Sequence, residues 1–227
     1  WVHEKQPPRI LLEGAQGVLL DLDLGTYPYV SSGVSAAAGA ALGAGIGPRQ
    51  IDGVLGVCKA YSTRVGNGPF PSEFRDEVDG DLGERVRELG GEYGVTTGRP
   101  RRCGYLDLVA LKYACIANGI DGIVLTKMDI YDGFDEIKAC VAYEIDGQTV
   151  HNFPASIPLL EKARPVLKTF RGWKKDITKS AAWEDLPPEA QSYVEYIESY
   201  TKTPVTVVSV GQDRTQTIIR KDPWTRY

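Results

Sequence analysis

Two hydrophobic periods alternate along the chain, one typical of strands and the other typical of helices. Short apolar runs predict buried strands at residues 9–13, 51–61, 122–126, 205–210 and 217–220. Apolar positions three or four residues apart predict helices at residues 81–89, 106–118 and 189–201. A high content of alanine predicts a further helix at residues 35–42. Because strands alternate with helices, we predict an α/β fold with a largely parallel sheet and flanking helices.

One segment departs from this alternation. Asp146-Gly147 separates two apolar runs, at residues 139–145 and 149–152, and predicts a two-residue β-hairpin. With the Pro-rich residues 153–183, the hairpin predicts a smaller peripheral subdomain. We therefore predict three parts: residues 1–137 with the central sheet, residues 138–185 with the peripheral subdomain, and residues 186–227 with a helix and strands that return to the sheet.

Composition and charge exclude several classes of protein. The chain has 227 residues, of which 42% are hydrophobic and 25% charged, as in ordinary globular domains. A net charge of −4 gives no field that attracts nucleic acid or an anionic membrane, so neither is expected as a partner. No apolar run approaches the roughly 20 residues of a membrane span. The four cysteines form no Cys-x-x-Cys pair, so we predict reduced thiols in a cytoplasmic protein.

The chain has one methionine, Met128, and begins at Trp1. We expect it to be a piece of a longer protein.

Residues 94–104 form the richest cluster of functional side chains. This segment contains three arginines, two threonines and three glycines between two predicted helices. Guanidinium groups bind carboxylate or phosphate in a bidentate manner, and glycine lets a ligand approach the backbone. The segment therefore predicts an anion-binding loop. A solvated basic loop is the alternative.

A second cluster follows the predicted strand at residues 122–126. Thr126-Lys127-Met128-Asp129 resembles the guanine-recognition motif of GTPases. A carboxylate at Asp129 can accept from guanine N1–H and the exocyclic amine together, and adenine lacks this pair of donors. The Lys127 stem can cover the base while its ammonium stays in water. The alternative is a polar strand end followed by a turn.

Two further loops carry possible ligand contacts. Residues 209–214 follow a later strand, and Ser209 to Gly211 can supply backbone contacts to a base. Gln16, in a Gly-rich turn, offers a donor and an acceptor, and Ser31 and Ser32 can hold a phosphate. Each loop, taken alone, is also compatible with an ordinary turn. No Gly-Lys dipeptide occurs, so the chain has no phosphate loop of the P-loop type.

Six separated motifs, in this order, resemble the adenylosuccinate synthetase family from about residue 9 to the C-terminus. They are ILLEGAQGVLLDLDLGTYPYVSS, KAYSTRVGNGPFPSE, GVTTGRPRRCGYLDLVAL, LTKMDIYDGF, KACVAY and VVSVGQDR. The resemblance implies a P-loop NTPase-like sheet whose N-terminal part is missing here. It also implies GTP-dependent ligation of IMP and L-aspartate to adenylosuccinate, through 6-phosphoryl-IMP, as the first committed step of AMP synthesis. Magnesium, a cytoplasmic location and a homodimer belong to the same expectation.

The resemblance assigns three groups of binding residues. For IMP they are Gln16, Ser31, Val65 and Arg99. For aspartate they are Val95, Thr96, Thr97, Gly98, Arg99, Pro100 and Arg101. For GTP they are Arg101, Lys127, Met128, Asp129, Ser209, Val210 and Gly211.

The same resemblance places the catalytic residues elsewhere. In the family, the phosphate loop, the catalytic aspartate and histidine, and an arginine donated across the dimer precede the point where this chain begins. We therefore expect no catalytic residue and no metal ligand in this chain, magnesium bound mainly by the other half, and no turnover by the chain alone. One alternative is a non-catalytic module that binds guanine nucleotide or dimerises. The other is a GTPase-like switch, which would leave the Arg-rich loop (residues 94–104) unexplained.

Overall fold

The computed structural model describes residues 10–95 and 97–222. The chain divides into two units, Trp1–Asp52 and Gly53–Tyr227. Within the described residues, no helix combines the length and the apolar character that crossing a bilayer requires.

The first unit contains little regular structure. Its elements are a 3-10 helix at Val18–Leu20, the helix α1 at Ala37–Ala44 and a 3-10 helix at Pro48–Gln50. Helix α1 confirms the alanine-rich helix predicted at residues 35–42. The strand predicted at residues 9–13 is wrong over residues 10–13, which are irregular, and Arg9 lies outside the described residues. None of the described strands pairs with this segment, and a strand is stable only when a neighbour bonds its backbone.

A buried carboxylate organises the loop before α1. Asp21 accepts hydrogen bonds from the backbone N–H groups of Asp23 and Leu24, both at 2.9 Å, and of Ser35 at 2.6 Å and Ala36 at 2.8 Å. Burial alone would raise the pKa of Asp21, but these four donors hold it below its usual value. The charged carboxylate therefore fixes the path of residues 21–36.

The second unit contains all ten described strands and the remaining helices. The strands are β1 (Leu55–Lys59), β2 (Ser62–Arg64), β3 (Arg102–Gly104), β4 (Leu106–Asp107), β5 (Gly122–Thr126), β6 (Glu136–Ile145), β7 (Gln148–Val150), β8 (Arg164–Arg171), β9 (Val205–Ser209) and β10 (Thr217–Ile219). The helices are α2 (Asp76–Asp79), α3 (Leu82–Gly90), α4 (Leu108–Asn118), α5 (Ile157–Lys162) and α6 (Pro188–Thr201), with 3-10 helices at Met128–Tyr131 and Trp183–Asp185.

The central sheet has the strand order β1-β5-β9-β10. Strands β1, β5 and β9 are parallel, and β10 is antiparallel to β9. The parallel register pairs Lys59 with Thr126 and Leu125 with Val208, so the carboxyl ends of three strands lie along one edge. This arrangement confirms the predicted largely parallel sheet and four of the five predicted strands, those at residues 51–61, 122–126, 205–210 and 217–220.

A second sheet is built around the long strand β6. Strand β4 pairs with it in parallel, and β7 and β8 pair with it in antiparallel fashion. The hairpin predicted around Asp146-Gly147 is confirmed as the β6–β7 turn. Strand β8 was not predicted, because its residues are mostly half-buried or exposed and its charged positions give no two-residue apolar period. The predicted boundaries at residues 137/138 and 185/186 stay predictions.

The core of the second unit joins the two four-stranded sheets to the helices, while β2 and β3 form a separate two-stranded sheet. Its fully buried side chains include Ile123 and Leu125 from β5, Ile137 from β6, and Tyr193 from α6. Trp173 packs in the same cluster, and its indole N–H donates to Asp132 at 2.7 Å. Because a large apolar volume is buried around β5, the loop that follows β5 stands on a rigid base.

Helix α4 begins at a buried carboxylate. Asp107 accepts from the backbone N–H of Ala110 at 3.0 Å, as an N-cap residue, and from the hydroxyl of Tyr143 at 2.7 Å. Burial raises the pKa of Asp107 to about 6, although these hydrogen bonds oppose the shift. The carboxylate thus links helix α4 to strand β6 but is costly to keep charged.

We predict that Asp107→Asn removes a pH dependence of stability. The pKa of about 6 in the folded chain exceeds the roughly 3.9 of an unfolded aspartate. The folded state therefore binds more protons between these values, and stability falls as pH rises from about 4 to about 6, by up to about 3 kcal/mol. Asparagine is also a good N-cap residue, so the helix start is kept in the variant. The free energy of unfolding of the variant should therefore increase relative to that of the wild type as pH rises over this range.

Urea unfolding of both proteins at several pH values measures this difference. A difference in unfolding free energy that stays constant between pH 4 and 7 would contradict the prediction.

Candidate functional site

The predicted guanine motif lies directly beyond the carboxyl end of β5. Lys127 adopts a left-handed conformation (φ 60°) and starts the 3-10 helix Met128–Tyr131. Its ammonium donates to the carbonyl of Gly90. Met128 is fully buried and anchors the turn, while Asp129 is half-buried. Burial raises the pKa of the Asp129 carboxyl even though the charge of Lys127 opposes the shift.

The second predicted guanine segment follows the neighbouring strand β9. The hydroxyl of Ser209 donates to the carbonyl of Gly211 at 3.0 Å. A Cβ atom on Gly211 would lie 2.2 Å from the side-chain oxygen of Gln216, so only glycine fits without displacing that side chain. Gln216 also accepts from the backbone N–H of Asp213 at 3.0 Å. The two segments thus leave adjacent parallel strands at the same edge, where α/β sheets place ligands.

A buried glutamate, Glu92, lies at the same edge and binds side chains from separate elements. One carboxylate oxygen, Oε1, accepts from the ammonium of Lys59 and from the hydroxyl of Tyr61, each at 2.7 Å. The ammonium of Lys127 lies 3.9 Å from the same oxygen. The other oxygen, Oε2, accepts from the guanidinium of Arg101 at 2.7 Å. Glu92 therefore connects the end of β1, the Arg-rich loop and the guanine motif.

The charges of this cluster do not balance. Burial would raise the pKa of Glu92, but hydrogen bonds from Lys59, Tyr61 and Arg101 hold it below its usual value. Burial lowers the pKa of Lys59, helped by the charges of Arg101 and Lys127 and opposed by Glu92. One carboxylate thus faces three cations, whose side chains are 27%, 29% and 35% exposed for Lys59, Arg101 and Lys127. Such a surface attracts a further anion.

The Arg-rich loop is closed at its base and exposed at its tip. Tyr93 and Pro100 form a β-bridge, and the backbone N–H of Arg101 donates to the carbonyl of Glu92 at 2.9 Å. Across the loop, the N–H of Gly94 donates to the carbonyl of Arg99 at 2.8 Å.

The tip of the loop consists of exposed residues. Val95 is 98% exposed, and Thr97, Gly98 and Arg99 are also exposed. The Arg99 guanidinium has no partner within the described residues, and Thr96 lies outside them. The tip therefore offers threonine and arginine side chains to solvent, while Arg101 is held by the cluster.

The predicted IMP contacts are spread over both units. In the first unit, Gln16 is exposed with a φ of 72°, a region that non-glycine residues seldom adopt, and the Ser31 hydroxyl donates to the carbonyl of Leu20 at 3.0 Å. In the second unit, Val65 is 64% exposed and follows β2.

Arg102 braces the loop that holds Val65. Its guanidinium pairs with Glu73 at 2.7 Å and donates to the carbonyls of Gly66 at 3.2 Å and Gly68 at 2.9 Å. The arginines of the 94–104 segment therefore have different environments: Arg99 is exposed, whereas Arg101 and Arg102 hold neighbouring loops.

The sequence did not predict Glu92, Lys59 or Tyr61 as site residues. Lys59 and Tyr61 stand in the quoted KAYSTR motif, and Glu92 precedes the Arg-rich loop by two residues. A loop with so many arginines needs a nearby counter-charge, and Glu92 is the acid next to the loop. That need was the available signal, but sequence spacing alone does not show which acid meets Arg101.

The described residues contain no group of three histidine, cysteine, aspartate or glutamate side chains close enough to hold a metal ion.

Comparison with known sequences identifies close relatives. A family model described as adenylosuccinate synthetase matches residues 2–218. The adenylosuccinate synthetase of Aquifex aeolicus is 53% identical over 219 residues, which are 96% of this chain and 50% of that protein. The one from Gloeobacter violaceus is 53% identical over 214 residues, 94% of this chain and 48% of that protein. The chain thus spans about half the length of these curated relatives.

Solved structures agree with this comparison. A fully ligated adenylosuccinate synthetase from Plasmodium falciparum matches with a TM-score of 0.86 and 42% identity, over 92% of this chain and 49% of that one. A succinoaminodeoxyadenylate synthetase from cyanophage S-2L, bound to dGMP and dATP as an energy donor, matches with a TM-score of 0.52 and 20% identity, over 92% and 46%. The second likeness shows the fold alone. The first confirms the predicted fold class.

We predict that Gly90→Ala disturbs the Glu92 cluster through Tyr61. A Cβ atom at residue 90 would lie 2.2 Å from the Tyr61 hydroxyl and 3.2 Å from Cγ of Glu92. The overpacking should lower the free energy of unfolding by about 1–3 kcal/mol. In a Tyr61→Phe background the cost should be smaller, because the closest atom is gone.

A double-mutant cycle on these two positions, measured by urea unfolding, tests this contact. Equal costs of Gly90→Ala in both backgrounds would show that the hydroxyl does not determine the need for glycine.

Proposed function

Because the chain belongs to the adenylosuccinate synthetase family, we propose that it forms part of a ligase that joins IMP and L-aspartate in a GTP-driven reaction. The observation that carries the proposal is the meeting of Arg101 and Lys127 at the buried Glu92, at the edge where β1, β5 and β9 end. One motif there is suited to guanine, and the loop beside it is suited to an anionic amino acid.

Guanine is the base that this edge fits best. The Asp129 carboxylate has acceptors for both N1–H and the exocyclic amine, and the turn at residues 209–211 supplies backbone groups beside it. Lys127 keeps its ammonium at the Gly90 carbonyl, so its methylene stem can lie along one face of the base. Adenine would leave the Asp129 carboxylate without the adjacent pair of donors that guanine presents, which disfavours its binding.

The exposed tip of the 95–101 loop is proposed to bind L-aspartate. Thr97 and Arg99 would hold its carboxylates, and Arg99 would also reach IMP. Arg101 would lie toward the phosphates of GTP. Gln16, Ser31 and Val65 complete the proposed IMP contacts. Positive charge in this region offsets the mutual repulsion of IMP phosphate, aspartate and GTP.

The proposed reaction has two steps. The 6-oxygen of IMP attacks the γ-phosphorus of GTP, which releases GDP and leaves 6-phosphoryl-IMP. The amine of aspartate then attacks C6, and inorganic phosphate leaves to give adenylosuccinate. This chain would bind and orient the base, the aspartate and part of IMP. The base that activates IMP would come from the other half of a complete, homodimeric enzyme, and we expect no turnover from this chain alone.

Magnesium, when bound, would neutralise charge on the phosphates. From the family resemblance we propose that the other half of the enzyme supplies most of its ligands.

We predict that Asp129→Asn changes the preferred base. GDP should bind the wild-type chain more tightly than ADP, and the variant should bind GDP at least about tenfold more weakly, because it loses a charge-assisted hydrogen bond. Xanthosine diphosphate has a carbonyl where guanine has the amine, so it should bind the variant better than the wild type.

Isothermal titration with the three nucleotides measures these affinities, and Asp146→Asn in the exposed β6–β7 hairpin is the matched control. Equal affinity of the wild-type chain for GDP and ADP would contradict the assignment of Asp129 to guanine recognition. It would leave a module without base selectivity.

We predict that Arg99→Leu in the complete enzyme raises the KM for aspartate about 10- to 100-fold, because a charge-assisted hydrogen bond to a carboxylate is lost. Arg171→Leu, at an arginine whose side chain is 84% exposed, is the control and should leave this KM unchanged. Steady-state kinetics with varied aspartate provides the measurement. An unchanged KM in Arg99→Leu would exclude that role.

A further inference from the structure

The two oxygens of Glu92 hold groups that belong to different binding regions. Oε2 pairs with Arg101, the last residue of the 95–101 loop, at 2.7 Å. Oε1 faces Lys127 of the guanine motif at 3.9 Å and pairs with Lys59 at 2.7 Å. The side chain of Glu92 is fully buried, so water does not screen these contacts as it would at the surface.

The backbone around Glu92 reinforces both connections. The carbonyl of Glu92 accepts from the N–H of Arg101 at 2.9 Å, so the loop end is bound by main chain and side chain together. The carbonyl of Gly90, two residues earlier, accepts from the ammonium of Lys127. A short segment, residues 90–92, thus contacts the guanine motif on one side and the Arg-rich loop on the other.

We propose that Glu92 is a positioning residue that couples occupancy of the guanine pocket to the order of the described loop residues 93–95 and 97–101. The inference rests on the proposed function, since the two regions take their ligands from it. A base that packs on the Lys127 stem limits the movement of that side chain. Because Glu92 contacts both Lys127 and Arg101, the movement of Arg101 is limited as well. By linkage, a ligand that orders the loop must strengthen guanine-nucleotide binding by the same factor.

A purely structural role for Glu92 makes a different prediction. If Glu92 only neutralised buried cations, its loss would loosen the region, but the response of the loop to nucleotide would remain. Glu92→Gln separates these cases, because an amide has one acceptor oxygen and so cannot accept from Arg101 on one side and Lys59 on the other, whereas Lys127 keeps its bond to the Gly90 carbonyl. The variant should therefore still bind GDP.

The test is hydrogen–deuterium exchange of residues 93–101 in the present chain, with and without saturating GDP. In the wild type, GDP should slow exchange of these amides at least about fivefold, as expected for a coupling of ordinary size. In Glu92→Gln, at a GDP concentration that saturates the variant, the slowing should fall below about twofold. Glu198→Gln is the control, because Glu198 pairs with Arg220 at 2.9 Å outside this cluster and should keep the wild-type response.

A GDP response in Glu92→Gln equal to that of the wild type would overturn the proposal, as would a wild-type loop that ignores bound GDP. Should Glu92→Gln not fold, Arg101→Gln breaks the same link from the loop side, and the response should again be lost.

Failure of the proposed function would look different, because the wild-type chain would then not bind GDP at all. In that case hydrogen–deuterium exchange without nucleotide tests the connection through Glu92. Arg101→Gln, which leaves Glu92 in place, should speed exchange in residues 127–131 as well as in the loop, whereas a change confined to the loop would refute a connection between the two.

Discussion

The geometry of the site depends on one buried carboxylate among three cations. Removing Glu92 from water is unfavourable, and only its close contacts with Lys59, Arg101 and the Tyr61 hydroxyl offset that cost. These contacts join β1 to the Arg-rich loop, and Lys127, 3.9 Å from the same carboxylate, adds the turn after β5 to the cluster. The same contacts leave an excess of positive charge at the carboxyl edge of the sheet, which is where an anionic substrate is expected.

The surrounding fold explains how this arrangement is held. Strands β5 and β9 are almost fully buried, and their parallel register fixes the two turns that follow them side by side. Below the edge, Asp132 anchors Trp173 and the N–H of Ile177, which ties the guanine turn to the segment after β8. A rigid scaffold with an exposed loop tip is the usual division between positioning and ligand capture.

Much of the secondary structure was predictable from the sequence, because the patterns that indicate it lie within short segments. Helix α4 and strand β5 have clear apolar periods, and Asp146-Gly147 has the turn chemistry of a hairpin. The guanine assignment of residues 126–129 rests on four adjacent residues and stays a prediction. Strand β8 was not predicted, because its order comes from pairing with β6 rather than from its own composition. The strand predicted at residues 9–13 fails for the opposite reason, since an apolar run forms a strand only beside a partner.

The Glu92 cluster lay beyond sequence reasoning because its members are distant in the chain. Lys59, Glu92 and Lys127 are brought together only by the order of the strands, and nothing in their spacing predicts which acid meets which base. The contacts of Arg102 were not predictable from the sequence either. Its neighbours in the Arg-rich segment suggested a ligand contact, whereas its guanidinium bonds Glu73 and the carbonyls of the 66–68 loop.

Completing the enzyme tests most directly whether this chain provides the guanine and aspartate side of a ligase site. The half of the Aquifex aeolicus relative that this chain does not match would be fused before residue 1, and the purified chimera checked for one cooperative melting transition. We predict formation of adenylosuccinate that requires IMP, aspartate and GTP together and is lost when ATP replaces GTP. A cooperatively folded chimera that forms no product, or that uses ATP equally well, would contradict the account.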